Sequence, residues 1–174
     1  EDLARRDFTM NAIAYGADCG IIDPFGGQED IKNGLIRCVG EPDKRFNEDG
    51  LRILRGLRFA SQKGFGIEKE TSDSIRRNKH LLKNLSAERV FVELKKLVMG
   101  KNAGEVIKDY IEVIGVVLPE ILPMAGFVQN TKYHFFDVLV INNFYMQTTN
   151  MIKQLPINSL YIIRIHLVLL VNHF

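Results

Sequence analysis

The chain has 174 residues, 46% of them hydrophobic, and a formal net charge of +2. That composition is that of an ordinary globular protein with one or two compact cores. Charge so near neutrality gives no uniformly basic surface, so a nucleic-acid partner would have to meet a local basic face.

Two cysteines, Cys19 and Cys38, lack Cys-x-x-Cys spacing, which argues against zinc and predicts two free, buried thiols in a cytosolic chain. The opening Glu1-Asp2-Leu3-Ala4-Arg5-Arg6-Asp7 is polar and has no initiator Met. It predicts no secretory leader and suggests a piece of a longer protein. The apolar stretch from Leu160 to Val171 is interrupted by Arg164 and His166. It falls short of the roughly 20 apolar residues of a membrane span, so a core helix is expected and no membrane partner.

From Glu1 to about Val39 the sequence mixes element types. A short helix is expected over Phe8 to Ala14, then strands at Ala14-Tyr15 and Ile21-Ile22 around the turn Gly16 to Gly20. Asp23-Pro24-Phe25-Gly26-Gly27 breaks the chain, Gln28 to Asn33 forms a helical turn, and Leu35 to Val39 forms a strand. Phe46 to Gly64 predicts one strong helix, with Leu51, Ile53, Leu54, Leu57 and Ala60 on one side. Glu48, Arg52 and Arg55 gather on the other. Residues 68–122 read as helical, with Ser86 capping a helix from Ala87 to Met99, Gly100 ending it, and another from Ala103 to Ile114. Tyr133 to Phe174 predicts two apolar helices around Pro156.

Four clusters can carry chemistry. Arg5-Arg6-Asp7 precedes a helix start, where paired guanidiniums grip phosphate and Asp7 can accept from a ribose hydroxyl. The bland alternative is a solvated turn capped by Asp7 or Thr9. Asp23 to Gly27 lacks a following Gly-Lys-Ser/Thr, so it is no P-loop, and a hinge suits it better. Asp49 and Arg52 lie three apart, placing an acceptor beside a fork of donors. Cytosine and adenine share an amino donor beside an acceptor, so one such pair can select both. The alternative is an exposed ion pair worth roughly a few tenths of a kcal/mol. Gly50 costs about 1 kcal/mol relative to Ala inside a helix, so either a helix starts there or another backbone comes close. Ser86-Ala87-Glu88-Arg89, with Glu93, Lys95 and Lys96, either braces the preceding helix, touches RNA, or is an ordinary amphipathic helix. His134 and Asp137 sit one turn apart without a second pair, so no metal site is expected there.

The order of these clusters is more specific than any one of them. Arg5 to Ala14, Asp23 to Asp30, Leu35 to Gly40, Arg45 to Arg55 and Ser86 to Leu97 together resemble the class II tRNA nucleotidyltransferase (CCA-adding enzyme) and bacterial poly(A) polymerase family over about residues 1–100. The resemblance implies an α+β fold. Residues 1–40 would be the C-terminal part of a nucleotidyltransferase head, 41–122 a helical neck that binds nucleotide and RNA, and 123–174 a helical body.

It also implies roles. Arg6 and Asp7, with Asn11, would contact the triphosphate and sugar of the incoming nucleotide. Asp49 and Arg52 would read the base of CTP or ATP, and Arg55 and Arg58 would hold phosphate or brace the helix. Asp23 to Gly27 would flex, and Ser86 to Arg89 would stabilise the neck. The implied activity is template-independent transfer of CMP and AMP from CTP and ATP to the tRNA 3′ end, in the cytoplasm, with Mg2+ as cofactor and tRNA as partner. The family's catalytic strand, with a Gly-Gly turn and an Asp-x-Asp pair for two magnesium ions, is missing here. It is expected upstream of Glu1, which leaves no catalytic or metal residue within this chain and predicts that the isolated chain is inactive. Tyr133 to Val138 resembles the opening of an HD-type phosphohydrolase domain, but Ile141 and Leu170-Val171 stand where metal ligands are wanted. A degenerate HD-like start is therefore expected. Competing readings are a non-catalytic helical module that binds RNA or nucleotide, and a poly(A) polymerase.

Overall fold

The computed structural model describes residues 2–125. The expected helices around Pro156 and the HD-like segment at Tyr133 to Val138 lie outside the described residues. The chain divides into two compact units, Glu1–Pro119 and Glu120–Phe174. Every strand and α-helix among the described residues belongs to the first unit.

Two short 3-10 turns, Leu3–Arg5 and Thr9–Asn11, open the unit. Strands β1 (Ala14–Gly16) and β2 (Gly20–Ile22) pair antiparallel, with Tyr15 opposite Ile21. Helix α1 (Gly27–Lys32) follows; both oxygens of Asp23 cap it, accepting from the Gly27 and Gln28 amides at 2.7 and 2.8 Å. Strand β3 (Leu35–Ile36), shorter than the expected Leu35 to Val39, pairs in parallel with β4 (Gly66–Ile67), whose two residues are too few to leave a periodic signal in the sequence. The first predicted helix, Phe8 to Ala14, is only the Thr9–Asn11 turn. Phe8 instead bridges Cys38 as extended chain.

The helices α2 (Pro42–Glu48) and α3 (Leu51–Lys63) replace the single helix expected over Phe46 to Gly64. The break has a local cause. Asp49 is extended, at φ −154° and ψ 106°, and its Oδ1 accepts from the Leu51 amide at 3.1 Å. Gly50 is the N-cap of α3, and a Cβ there would lie 3.0 Å from the Leu81 Cβ. Both readings of Gly50 are thus realised: a helix begins there, and another segment packs close.

Helix α3 is the organising element. Ile53, Leu54 and Leu57 are fully buried, and the helix packs most extensively on α5 (Ala87–Val98). Fully burying one such side chain is worth about 1.5–3 kcal/mol. Helix α4 (Lys69–Arg77) packs on α2, and α6 (Ala103–Asp109) and α7 (Ile111–Ile114) complete the unit where one helix was expected. At the far end of α3 the Ser61 hydroxyl donates to the Leu97 carbonyl at 2.5 Å. Gly100 lies so close to Ser61 that a Cβ would come within 2.6 Å of its carbonyl carbon.

The cysteines divide. Cys38 is buried as expected, and burial pushes its thiol up to about 12, which makes it no nucleophile. Cys19 is exposed, correcting the expectation, because it sits in the turn between β1 and β2, which no other element covers among the described residues. Among the described residues no helix is long and apolar enough to cross a membrane.

Candidate functional site

The segment Arg5 to Asp7 is held from below by backbone. The Val39 amide donates to the Asp7 carbonyl at 3.1 Å, and the Thr9 amide to the Arg37 carbonyl at 2.9 Å. These bonds place Asp7 over the N-terminal half of α3. Its carboxylate, only 7% exposed, accepts from three donors: the Phe8 amide at 2.9 Å, Asn11 Nδ2 at 3.0 Å and Arg55 Nε at 2.7 Å.

Arg52 is fixed by three acceptors. Its Nη1 donates to Glu48 Oε2 at 2.7 Å and to the Arg45 carbonyl at 3.0 Å, and its Nη2 to the Arg5 carbonyl at 3.0 Å. The Arg52 hydrogen bond holds the Glu48 carboxyl below its usual range, so Glu48 stays ionised as the clamp. Asp49 does not pair with Arg52. Its Oδ2 accepts from Arg89 of α5 at 2.8 Å while its Oδ1 starts α3. The simple i,i+3 ion pair that the spacing allows is therefore not what forms, because the helix break turns Asp49 toward α5.

Together these side chains line one cleft of about 560 Å³: Arg5, Arg6, Asp7, Asn11, Asp49, Leu51, Arg52, Arg55 and Arg89. Five arginines stand against two aspartates, a cationic excess suited to a polyphosphate. Arg6 is half exposed, and among the described residues its side chain meets only Asp2, at 2.9 Å.

Six of the seven sequence-predicted residues thus converge: Arg6, Asp7, Asn11, Asp49, Arg52 and Arg55. Arg58 does not join them. It is 9% exposed, pairs with Glu93 of α5 at 3.2 Å and stacks on the Phe59 ring at 4.2 Å. Burial lowers the proton affinity of its guanidinium while Glu93 raises it. Two further residues, Arg5 and Arg89, line the cleft. Each belongs to a motif singled out from sequence, but nothing local indicates that Arg89 reaches Asp49 from 40 positions away.

The cleft does not fit a magnesium ion. Such an ion wants near-octahedral oxygen ligands, whereas both carboxylates here are already committed to arginines. Among the described residues no group of three or more His, Cys, Asp or Glu could hold a metal.

Two family descriptions match parts of the chain. Residues 1–37 match the family described as the poly A polymerase head domain, and residues 64–123 the one described as a probable RNA and SrmB-binding site of polymerase A. A CCA-adding enzyme of Anoxybacillus flavithermus is 49% identical over 122 residues, 70% of this chain and 31% of the relative. One from Ligilactobacillus salivarius is 46% identical over 112 residues, 64% of this chain and 28% of the relative. Among solved structures, the Bacillus stearothermophilus CCA-adding enzyme in complex with CTP aligns with a TM-score of 0.62 at 48% identity. That alignment covers 64% of this chain and 28% of the other. The Thermotoga maritima CCA-adding enzyme complexed with tRNA aligns at 0.64 and 28% identity, over 82% of this chain and 36% of the other. The chain spans about a third of the length of these relatives.

Proposed function

The chain belongs to the family of CCA-adding enzymes and poly(A) polymerases, and on that premise we propose that it forms the nucleotide-recognition part of a CCA-adding tRNA nucleotidyltransferase. The observation that carries the proposal is the convergence of Arg6, Asp7, Asn11, Asp49, Arg52 and Arg55 on one cationic cleft. Residues 1–40 act as the end of the catalytic head, 41–122 as the neck, and the remainder as the start of a body.

In this reading the nucleotide lies along the cleft. Arg6, with Arg5 beside it, takes the triphosphate through charge-assisted hydrogen bonds. Asp7 accepts from the ribose. Asp49 accepts from the exocyclic amino group of cytosine or adenine, and Arg52 donates to the neighbouring ring nitrogen. Uracil and guanine offer a carbonyl where Asp49 needs a donor, setting two acceptors against each other. The protein itself is then the template. Arg52 suits the task because Glu48 and two carbonyls have already fixed its plane. Arg58 acts by bracing α3 against α5.

Magnesium is the expected cofactor; when bound it would activate the RNA 3′-hydroxyl and stabilise the charge on the leaving pyrophosphate. Its ligands are proposed to lie outside these 174 residues. The tRNA is the expected acceptor, in a cytoplasmic setting.

Equilibrium binding of CTP, ATP, UTP and GTP to the chain tests the reading. CTP and ATP are expected to bind more tightly than UTP and GTP, and Arg52→Ala to remove the difference while leaving the melting transition in place. Equal binding of all four by the unaltered chain would sink it. Binding of ATP without CTP would favour a poly(A) polymerase instead, a reading that the two family descriptions also accommodate.

A further inference from the structure

Arg55 stands apart from the other cleft arginines because its shortest contact is to the buried carboxylate of the cleft, that of Asp7. We infer that Arg55 is a positioning residue for sugar recognition: it aims the last free acceptor of Asp7 and ties ribose selection to the base-reading helix. The inference rests on the proposed nucleotide cleft and adds a role that cleft does not by itself require.

A carboxylate offers about four acceptor positions. Oδ1 of Asp7 uses two, for the Phe8 amide and Asn11 Nδ2. Oδ2 uses one, for Arg55 Nε at 2.7 Å. Among the described residues one position remains, on Oδ2, in a carboxylate that lines the cleft yet is only 7% exposed. Without Arg55 the orientation of Oδ2 is held only through the Oδ1 bonds, both to groups within four residues of Asp7. A hydroxyl approaching Oδ2 would then meet a carboxylate free to pivot.

Arg55 itself is well held. It lies 5.6 Å from the centre of the Phe59 ring, and that ring packs edge-on against Phe8, the residue after Asp7. Arg55 and Arg52 lie on the same helix, and Arg52 Nη2 donates to the Arg5 carbonyl. Helix α3 therefore grips the Arg5–Asp7 segment at two points, one of them through the proposed base-reading side chain. Residues 38–63, which contain α3, fall between the two family matches, so these grips join the matched head piece to the base-reading helix.

The test compares CTP with 2′-deoxy-CTP and with UTP on the full 174-residue chain. The unaltered chain is expected to prefer CTP over both. Arg55→Ala should lower the CTP to deoxy-CTP ratio about tenfold, the loss of one charge-assisted hydrogen bond, and lower the CTP to UTP ratio much less. Arg55→Lys should recover part of the sugar ratio, because an ammonium restores the charge without the fixed fork. Arg52→Ala should show the opposite pattern. A sugar ratio unchanged in a folded Arg55→Ala or Arg55→Lys chain overturns the inference. So does an equal fall in both ratios, which means general collapse of the cleft. If the unaltered chain binds no CTP, the proposed function fails and this inference with it; that outcome is visible before any variant is made.

Discussion

Three arginines spaced three residues apart on α3 meet different fates. Arg52 and Arg55 face the cleft, whereas Arg58 is buried against Glu93 of α5. A three-residue step falls short of a full helical turn, so each successive side chain is rotated by about 60° around the axis. Two steps carry Arg58 from the cleft side to the α5 side. The same side chain thus lines an open cleft at one end of the helix and packs against a neighbouring helix at the other, and neighbours rather than residue type decide which.

Breaking the packing end should cost most. Glu93→Ala leaves Arg58 buried without its carboxylate and should destabilise the fold by about 3–5 kcal/mol, read from urea or thermal unfolding. A loss below about 1 kcal/mol would mean that the pair is solvated and that α3 is held by its apolar face alone. The cleft end should respond in binding instead. Arg52→Ala should erase about 1–3 kcal/mol of base discrimination, the usual worth of a two-point base contact. Its effect on stability should be smaller than that of Glu93→Ala. Gly100→Ala probes the α3–α5 contact from the backbone side. Overpacking against Ser61 should cost about 1–3 kcal/mol without touching nucleotide preference.

The smallest effect concerns pH. Asp43 joins α2 to α4 by accepting from Ser74, Arg77 and Asn78, and the Ser74 and Arg77 bonds hold its carboxyl below the usual value of 3.8. A depressed folded value means the stabilisation is complete above the unfolded value and lost as pH falls through the folded one. Asp43→Asn should therefore melt lower than the unaltered chain at neutral pH. The gap should close as the pH drops below about 3.8. Because Asp43 is half exposed, the gap should stay within about 1 kcal/mol.

Much of this fold is legible in the sequence, for identifiable reasons. The hairpin at Ala14 to Ile22 announces itself through strand residues flanking a Gly-rich turn, and α5 through its apolar period; Ser86 stands at its N-cap position but its side chain makes no capping hydrogen bond. The break between α2 and α3 is only partly legible: Gly50 hints that a helix starts there, but the apolar spacing from Phe46 to Gly64 reads as one helix. What interrupts it is the packing of Leu81 against Gly50 and the turning of Asp49 toward Arg89. Strand β4 escapes notice because two residues carry no period, and its partner β3 lies some 30 positions earlier.

Sequence alone therefore determined the family, the α+β class and which charged residues are candidates for recognition, since motif order and local periodicity are properties of the chain itself. Tertiary structure alone decided which of those charges meet. Arg89 reaches Asp49 across 40 residues and Arg55 reaches Asp7 across 48, while Arg58 turns away to Glu93. The reason is physical: an arginine's partner is set by whatever carboxylate or carbonyl lies within about 3 Å of its guanidinium once the helices have packed, and linear spacing fixes that distance only within a turn or two of the same helix.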